Sequence, residues 1–163
     1  MIAKLETCEN PEGASVQPGR IIIIRRYTRK DLKAHPDKLF VFGDNMARRG
    51  HAGQAMACRY EPNAIGIPTK WRPGTKATDY FGWGAMAEVK PVIAEEFRTL
   101  AAHLAAGGDV VWPADGVGTG LAQLGRYAPN IRKFLDDCVT YLEGLAGEVI
   151  GPVRDIPTAG AEQ

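Results

Sequence analysis

The sequence predicts a single α/β domain, and two patterns in its 163 residues lead to that fold class. Short apolar runs rich in β-branched residues alternate along the chain with longer segments whose apolar residues recur at helical spacing. Two of the short runs are followed directly by glycine-rich segments, as in α/β folds that bind ligands at the carboxyl ends of their strands. A chain of this length can bury a hydrophobic core without disulfides or metals.

Five short apolar runs, bounded by glycine, proline or charged residues, are predicted to form strands. They are residues 21–24, 39–42, 64–67, 110–112 and, as a short edge strand, 148–150. Small residues between Gly50 and Arg59 predict a short helix packed closely on the sheet or on a ligand. Apolar residues at helical spacing predict a helix over 85–106, ended by Gly107 and Gly108, and a last helix over about 126–145.

Three segments fall outside this regular pattern. Residues 1–19 have little periodicity and predict a flexible N-terminal arm, so that the domain spans residues 20–150. Residues 151–163 contain several prolines and glycines and predict a disordered tail. Residues 69–84 connect a strand to a helix without a strong period, and a connection of this length is typical of a functional or lid-like loop.

Composition narrows the class of function. A formal net charge of +1 argues against a protein that binds nucleic acid through bulk charge. No apolar run approaches the roughly 20 residues of a membrane span, and the N-terminus lacks the pattern of a signal peptide. We therefore expect a cytoplasmic protein without a membrane partner. Cys8, Cys58 and Cys138 are far apart, so the sequence predicts reduced cysteines, no metal site and no cofactor.

The first glycine-rich loop follows the predicted strand 39–42. Asp44 and Asn45 are the candidate catalytic residues, because a short carboxylate and an amide beside exposed N–H groups can bind a ribose or position a water molecule. The alternative is that these side chains cap a helix and that the glycines only form turns. The candidate ligand-binding residues of this loop are Gly43, Gly50, His51, Ala52, Gly53 and Gln54.

The second glycine-rich loop follows Pro113. Its three alternating glycines predict a concave row of N–H donors for a phosphate or diphosphate, with the positive end of a helix dipole behind it. It is not a Walker A loop, and it lacks the glycine spacing of a dinucleotide fingerprint. The candidate ligand-binding residues of this loop are Asp115, Gly116, Val117, Gly118, Thr119, Gly120 and Leu121.

Other polar and aromatic residues lie near the same predicted edge of the sheet. Lys70 follows the third strand and is predicted to face a phosphate. Aromatic residues in the following loop either stack on a base or anchor that loop to the core. They are Trp71, Tyr80, Phe81 and Trp83. The pair Glu95–Glu96, in the middle of a predicted helix, is expected to face solvent.

Together the motifs resemble those of macro domains, and most closely those of small macro-like proteins from phages and bacteria. The resemblance covers roughly residues 39–145 and rests on the segments 41–55, 65–70 and 112–121. It implies a three-layer α/β/α sandwich with a mixed central sheet. It also implies that Asn45 holds the distal ribose of ADP-ribose and that the second loop wraps the diphosphate. The adenine-reading aspartate of macro domains has no matching motif, and Asp31 is its nearest substitute.

The leading hypothesis is therefore a protein that binds ADP-ribose or a related nucleotide, with hydrolysis of ADP-ribosyl adducts as its enzymatic form. An ADP-ribosylated macromolecule is the partner that this form implies. One alternative is a non-catalytic sensor or sponge for a nucleotide signal in phage–host conflict. Another is a nucleotide hydrolase similar to the lysine-decarboxylase-like enzymes, which residues 113–119 resemble loosely. A structural or interaction protein is the remaining alternative.

Overall fold

A computed structural model describes residues 15–158, and its helices and strands follow the predicted alternation. In chain order the elements are β1 (Arg20–Ile24), α1 (Arg29–Ala34), β2 (Leu39–Asp44), α2 (Ala55–Cys58), β3 (Ala64–Pro68), α3 (Met86–Ala105), β4 (Val110–Pro113), α4 (Leu124–Tyr127), α5 (Pro129–Leu145) and β5 (Glu148–Val153). All five predicted strands are confirmed. The helix predicted over 85–106 is α3, whereas the last predicted helix is divided into α4 and α5.

The five strands form one sheet in the order β3–β2–β4–β1–β5, and all of their pairings are parallel. The mixed sheet implied by the resemblance is therefore wrong for residues 15–158. A helix lies in each of the four connections between successive strands. Such a crossover returns the chain to the starting edge of the sheet, so that each new strand runs in the same direction as the last.

Alternate residues of the strands pack into two separate hydrophobic clusters. Val41 of β2 lies in one cluster with residues of α3 and α5. Phe40 and Phe42 lie in the other cluster, together with Leu32 of α1 and Cys58 of α2. The buried face of α3 shows the helical spacing on which its prediction depended. It consists of Val89, Ile93, Phe97, Leu100 and Leu104.

Sequence patterns did not predict α1, because only Leu32 of its six residues is buried and no apolar period is visible. Thr28 precedes the helix, and both its backbone N and its Oγ1 donate to Oδ2 of Asp31, at 2.6 and 2.8 Å. This pairing is typical of a helix start. Asp31, the nearest substitute for an adenine-reading aspartate, is therefore engaged in capping α1.

The predicted arm lies outside the described residues up to residue 14, and residues 15–19 contain no helix or strand. Gly19 is nevertheless held in place, since its N donates to the Leu104 carbonyl at 2.8 Å and its carbonyl accepts from Gly147 N at 2.9 Å. At the other end β5 continues past residue 150 to Val153. The last residues of the predicted tail, 159–163, lie outside the described residues.

An ion cluster joins the amino ends of β1 and β4. Asp109 accepts hydrogen bonds from the backbone N and Nη2 of Arg20, at 2.8 and 2.9 Å, and from Nζ of Lys38 at 3.0 Å. Burial favours the neutral acid, but these hydrogen bonds outweigh it and lower the pKa of Asp109 to about 2. The cluster lies at the edge of the sheet opposite to the glycine-rich loops.

Within residues 15–158, no helix combines the length and the apolar character that crossing a bilayer requires.

Candidate functional site

The connections that follow the neighbouring strands β2 and β4 run in opposite directions across the sheet. β2 leads to β3 on one side of the sheet, and β4 leads through α4 and α5 to β5 on the other. The pairing of β2 with β4 ends at Phe40 and Val111, so the last four residues of β2 have no partner on β4. Such a change of direction opens a crevice at the carboxyl edge of a parallel sheet, where α/β proteins bind ligands. The two glycine-rich loops begin at this crevice.

Gly43, Thr69 and Gly118 form the floor of the crevice. A Cβ atom added to Gly43 would lie 3.9 Å from the backbone N of Gly118 and 3.9 Å from Oγ1 of Thr69. Thr69 is fixed by its hydroxyl, which donates to the carbonyl of Asp44 at 3.1 Å. Gly43 is exposed although it belongs to an inner strand of the sheet. The crevice therefore allows a ligand to approach the backbone directly.

The second loop presents a row of unused backbone donors. It turns at Gly116 and Gly118, whose φ angles are +74° and +78°. Gly116 N donates to Pro113 O at 2.8 Å, and Leu124 N donates to Gly118 O at 2.9 Å. Between these bonds, the amides of residues 117–122 donate to no acceptor within the described part of the chain. Successive N–H groups in a loop of this kind are typical of anion sites.

The candidate residues of the second loop differ in exposure. Val117 and Gly118 are buried, whereas Gly116 is half-buried. The exposed members are Asp115, Thr119, Gly120 and Leu121. The Thr119 hydroxyl donates to the Asp115 carbonyl at 2.5 Å and braces the turn between them.

The helices that follow the two loops are single turns. α2 and α4 contain four residues each. A helix dipole grows with the number of aligned peptide groups, so the dipole expected behind each loop is small. The donors available to an anion are therefore the loop amides themselves.

Asp44 ends β2 and is enclosed by two arginines. Its Oδ1 accepts a hydrogen bond from Nη2 of Arg59 at 2.6 Å, and its Oδ2 accepts from Nη1 of Arg59 at 3.0 Å and from Nη1 of Arg48 at 3.2 Å. The side chain of Asp44 is only 3% exposed. The carboxylate that the sequence assigned to catalysis is thus engaged inside the protein.

Asn45 braces the first loop. Its Nδ2 donates to the carbonyl of Arg49 at 2.8 Å, and the residue is buried. The amide that the resemblance assigned to a ribose therefore already has a protein partner. For Asn45 to bind a ribose, this bond would have to be exchanged for one to the ligand.

Arg59 ties the end of β2 to the first loop. In addition to its bonds with Asp44, its Nε donates to Gly50 O at 3.0 Å and its Nη2 donates to Arg49 O at 3.2 Å. Sequence patterns did not identify this residue, because a single arginine after a short helix has no distinctive spacing. Its partners are 9 to 15 residues away and are brought together only by the fold.

The remainder of the first loop is open. His51, Ala52 and Gly53 are exposed, and Gln54 is half-buried with no hydrogen-bond partner for its Oε1. Within residues 15–158, the backbone amides of residues 50–54 donate to no acceptor. This loop therefore offers backbone donors and one imidazole rather than a carboxylate.

Lys70 lies beside the first loop, since its carbonyl accepts a hydrogen bond from Met46 N at 2.9 Å. Lys70 is nine-tenths buried, and its Nζ donates to Gly74 O at 2.6 Å. The same Nζ lies 4.4 Å from the centre of the Tyr80 ring, which packs at 4.5 Å on Tyr127. In the described chain, no carboxylate lies within 4.0 Å of this ammonium group.

The aromatic residues of the 69–84 connection differ in their surroundings. Trp71 and Phe81 pack edge to face with ring centres 4.9 Å apart, and Phe81 is buried. These two residues anchor the connection to the core. Trp83, in contrast, is 68% exposed.

A cavity of about 330 Å³ lies beside the edge strand β3, and Asp44, Arg48 and Glu96 contribute to its walls. Arg48 spans it, since its Nη2 donates to Oε1 of Glu96 at 2.6 Å and its Nη1 donates to Gly66 O at 2.5 Å. The expectation that Glu96 only faces solvent is therefore wrong. Its ion pair connects α3 to the first loop.

Residues 22–138 match the sequence profile of a family of unknown function, DUF7831. The chain belongs to DUF7831. The matched segment contains both glycine-rich loops, Arg59 and Lys70, and it ends within α5. No curated protein and no solved structure matches this DUF7831 chain.

Proposed function

We propose that this DUF7831 protein binds ADP-ribose or a related nucleotide in the crevice between β2 and β4, with the diphosphate on the second loop. The observation that carries the proposal is the row of amides at residues 117–122, which donate to no other described residue and follow the strand at the change of direction. Phosphate oxygens accept hydrogen bonds from successive backbone N–H groups in loops of this kind.

Charge at the crevice supports an anionic ligand. A buried ammonium group without a carboxylate partner is costly, because it loses water without gaining a counterion. Lys70 is such a group, and its hydrogen bond to a single carbonyl does not neutralise it. In this proposal, a phosphate of the bound diphosphate supplies the counterion that Lys70 lacks among the described residues.

A macro-like arrangement is part of the proposal. It is supported by the two hydrophobic clusters, one with α3 and α5 and the other with α1 and α2. It is also supported by the positions of the two glycine-rich loops, which follow the neighbouring strands β2 and β4. The proposed arrangement differs from the implied one in its sheet, which is parallel in all its pairings.

Of the two forms of this function, binding without turnover is favoured. Hydrolysis at an anomeric carbon requires a group that positions or activates a water molecule. The candidates Asp44 and Asn45 are both buried, and both already bond to groups of the protein. Their engagement supports a sensor or sponge for a nucleotide over a hydrolase of ADP-ribosyl adducts.

The proposal is tested by calorimetric titration of the full chain with ADP-ribose, AMP, NAD and inorganic pyrophosphate. We expect ADP-ribose to bind with a Kd of about 1 μM or lower, which corresponds to about −8 kcal/mol. AMP should bind more weakly because it has no diphosphate. Absence of binding at millimolar ADP-ribose and millimolar pyrophosphate would reject the proposal. Incubation with ADP-ribosylated protein distinguishes the two forms, since a binder releases no ADP-ribose.

A further inference from the structure

We infer that Arg59 is a positioning residue that holds the first loop as a second row of donors, with Asp44 acting as its counterion and not on the ligand. The inference rests on the proposed function and adds to it a requirement on the ligand. The ligand must carry two separate acceptor groups, one for each loop.

The contacts of Arg59 use all three of its guanidinium nitrogens. Nη1 and Nη2 donate to the two carboxylate oxygens of Asp44, at 3.0 and 2.6 Å. Nε donates to Gly50 O at 3.0 Å, and Nη2 also donates to Arg49 O at 3.2 Å. The guanidinium carbon lies 5.5 Å from the centre of the Phe42 ring. The position of Arg59 is therefore fixed on several sides, and its side chain is only 6% exposed.

These contacts set the direction of the loop amides. In a trans peptide the carbonyl and the N–H point in opposite directions. Because the carbonyls of Arg49 and Gly50 point at Arg59, the amides of Gly50 and His51 point away from it. Neither amide donates to any residue in the described part of the chain. Arg59 thus turns the donors of the first loop outwards, where a ligand can accept from them.

Asp44 is closely enclosed by its neighbours, and it therefore affects the ligand only by holding Arg59 in place. Its Oδ2 also accepts from Arg48, at 3.2 Å. On another side, a Cβ atom at Gly66 would lie only 2.5 Å from the same Oδ2, so the backbone of β3 closes that approach. A carboxylate in these surroundings neutralises and orients a guanidinium group, and it leaves the chemistry of binding to the loop amides.

The chemical class of the ligand follows from the two donor rows. The second loop presents the amides of residues 117–122, and the first loop presents those of residues 50–54. In the proposed function the diphosphate occupies the second row, which leaves the first row for a further acceptor group of the same ligand. A diphosphate linked to a further group with acceptor oxygens, such as the terminal ribose of ADP-ribose, satisfies both.

The test compares ADP-ribose with inorganic pyrophosphate in calorimetric titrations of the wild type, Arg59→Lys and Asn45→Ala. Lysine keeps the charge beside Asp44 but cannot donate to four acceptors in fixed directions. We expect Arg59→Lys to weaken ADP-ribose binding by about tenfold or more and to change pyrophosphate binding by less than about twofold. Asn45→Ala removes the other brace on Arg49 O without disturbing a buried charge. Asn45→Ala should weaken ADP-ribose binding by about threefold and change pyrophosphate binding by less.

Arg20→Lys is the matched control, because it weakens a similar bidentate ion pair, between Arg20 and Asp109, at the opposite edge of the sheet. It should lower the thermal stability and leave both affinities unchanged. Equal losses for the two ligands in Arg59→Lys, or an unchanged affinity for ADP-ribose, overturn the inference. If Arg59→Lys does not fold, the comparison of the two ligands in Asn45→Ala decides. A wild-type protein that binds neither ligand rejects the proposed function itself, whereas failure of the selectivity alone rejects only this inference.

Discussion

Gly43 and Gly118 meet at the base of the crevice between β2 and β4, so that a Cβ atom on Gly43 would lie 3.9 Å from the amide N of Gly118. The two glycines are 75 positions apart in the chain; Gly43 lies near the end of β2, just before the first glycine-rich loop, and Gly118 lies in the second. Their approach follows from the sheet order, which makes β2 and β4 neighbours. This contact is the reason for treating the two loops as one site.

Gly43→Val tests whether the floor of the crevice is the ligand site. A Cβ at this position meets only ordinary contacts of 3.9 to 4.0 Å, so Gly43→Ala should change the unfolding free energy by about 1 kcal/mol or less, and Gly43→Val adds two γ-methyl groups beyond that Cβ. The added methyl groups occupy the crevice, and ADP-ribose binding should weaken by at least about tenfold, or about 1.4 kcal/mol. Gly43→Ala should give a smaller loss. Unchanged calorimetric affinity in Gly43→Val contradicts this placement.

Gly118→Ala should destabilise the protein as well as the site. Its φ is +78°, and the new Cβ would lie 2.9 Å from Cδ2 of Leu124 and 3.3 Å from Cγ2 of Thr69. We expect a loss of about 1–3 kcal/mol in unfolding free energy, measured by urea denaturation. Gly144→Ala is the control, because this exposed position in α5 has no atom within 4 Å of the new Cβ. It should stabilise by about 0.5–1 kcal/mol, and similar effects of the two substitutions would argue against a strained loop.

The sequence predicted those parts of the fold that depend on local pattern. The isoleucines of β1 and the apolar run of β2 are recognisable because β-branched and aromatic residues favour strands. The glycines of both loops are recognisable because three or more glycines in a short segment exceed what a single turn requires. Strand order is not a local property, and so neither the parallel sheet nor the pairing of Gly43 with Gly118 could be read from the chain.

The side-chain contacts of the site were the least predictable part. Asp44 stands in a motif that suggests catalysis, yet its partner Arg59 lies 15 residues later in a segment without charge pattern. The charged residues around Glu96 in α3 have no regular spacing that would indicate a partner. Only the fold brings Glu96 to Arg48. Such contacts depend on which elements become neighbours.

Lys70→Met tests whether the buried ammonium group serves ligand binding or the stability of the fold. It removes a buried ammonium group that has no carboxylate partner among the described residues, and it keeps a side chain of similar length. The Tm should therefore stay the same or rise. ADP-ribose affinity should fall by about tenfold, because a phosphate loses its counterion. Lys133→Met, which breaks an exposed pair with Asp137 at 2.9 Å, is the control and should leave affinity unchanged. A large fall in Tm in Lys70→Met would show that the ammonium group is structural.

Because of Asp109, the free energy of unfolding should fall as the pH is lowered in the acidic range. Its pKa is about 2 in the folded protein and 3.8 as the ordinary value, so its ion cluster stabilises the fold fully above the ordinary pKa. This contribution, about 1–2 kcal/mol, is lost as the pH falls from about 5 towards 2. Urea denaturation of the wild type and of Asp109→Asn across this range checks the assignment. The variant should be less stable at pH 6, and the difference should shrink at pH 2.5. A constant difference would assign the effect to another group.

The most direct test of the crevice as the binding site is a two-dimensional amide NMR titration of the isotope-labelled chain with ADP-ribose. The largest shifts are expected for the amides of residues 117–122 and 50–54 and of Gly43, because in the proposal these groups donate to the ligand or line the floor of the crevice. The same titration of Gly43→Val should show these shifts only at higher ligand concentration. Shifts concentrated instead around the cavity beside β3, or no shifts at millimolar ADP-ribose, would contradict the account.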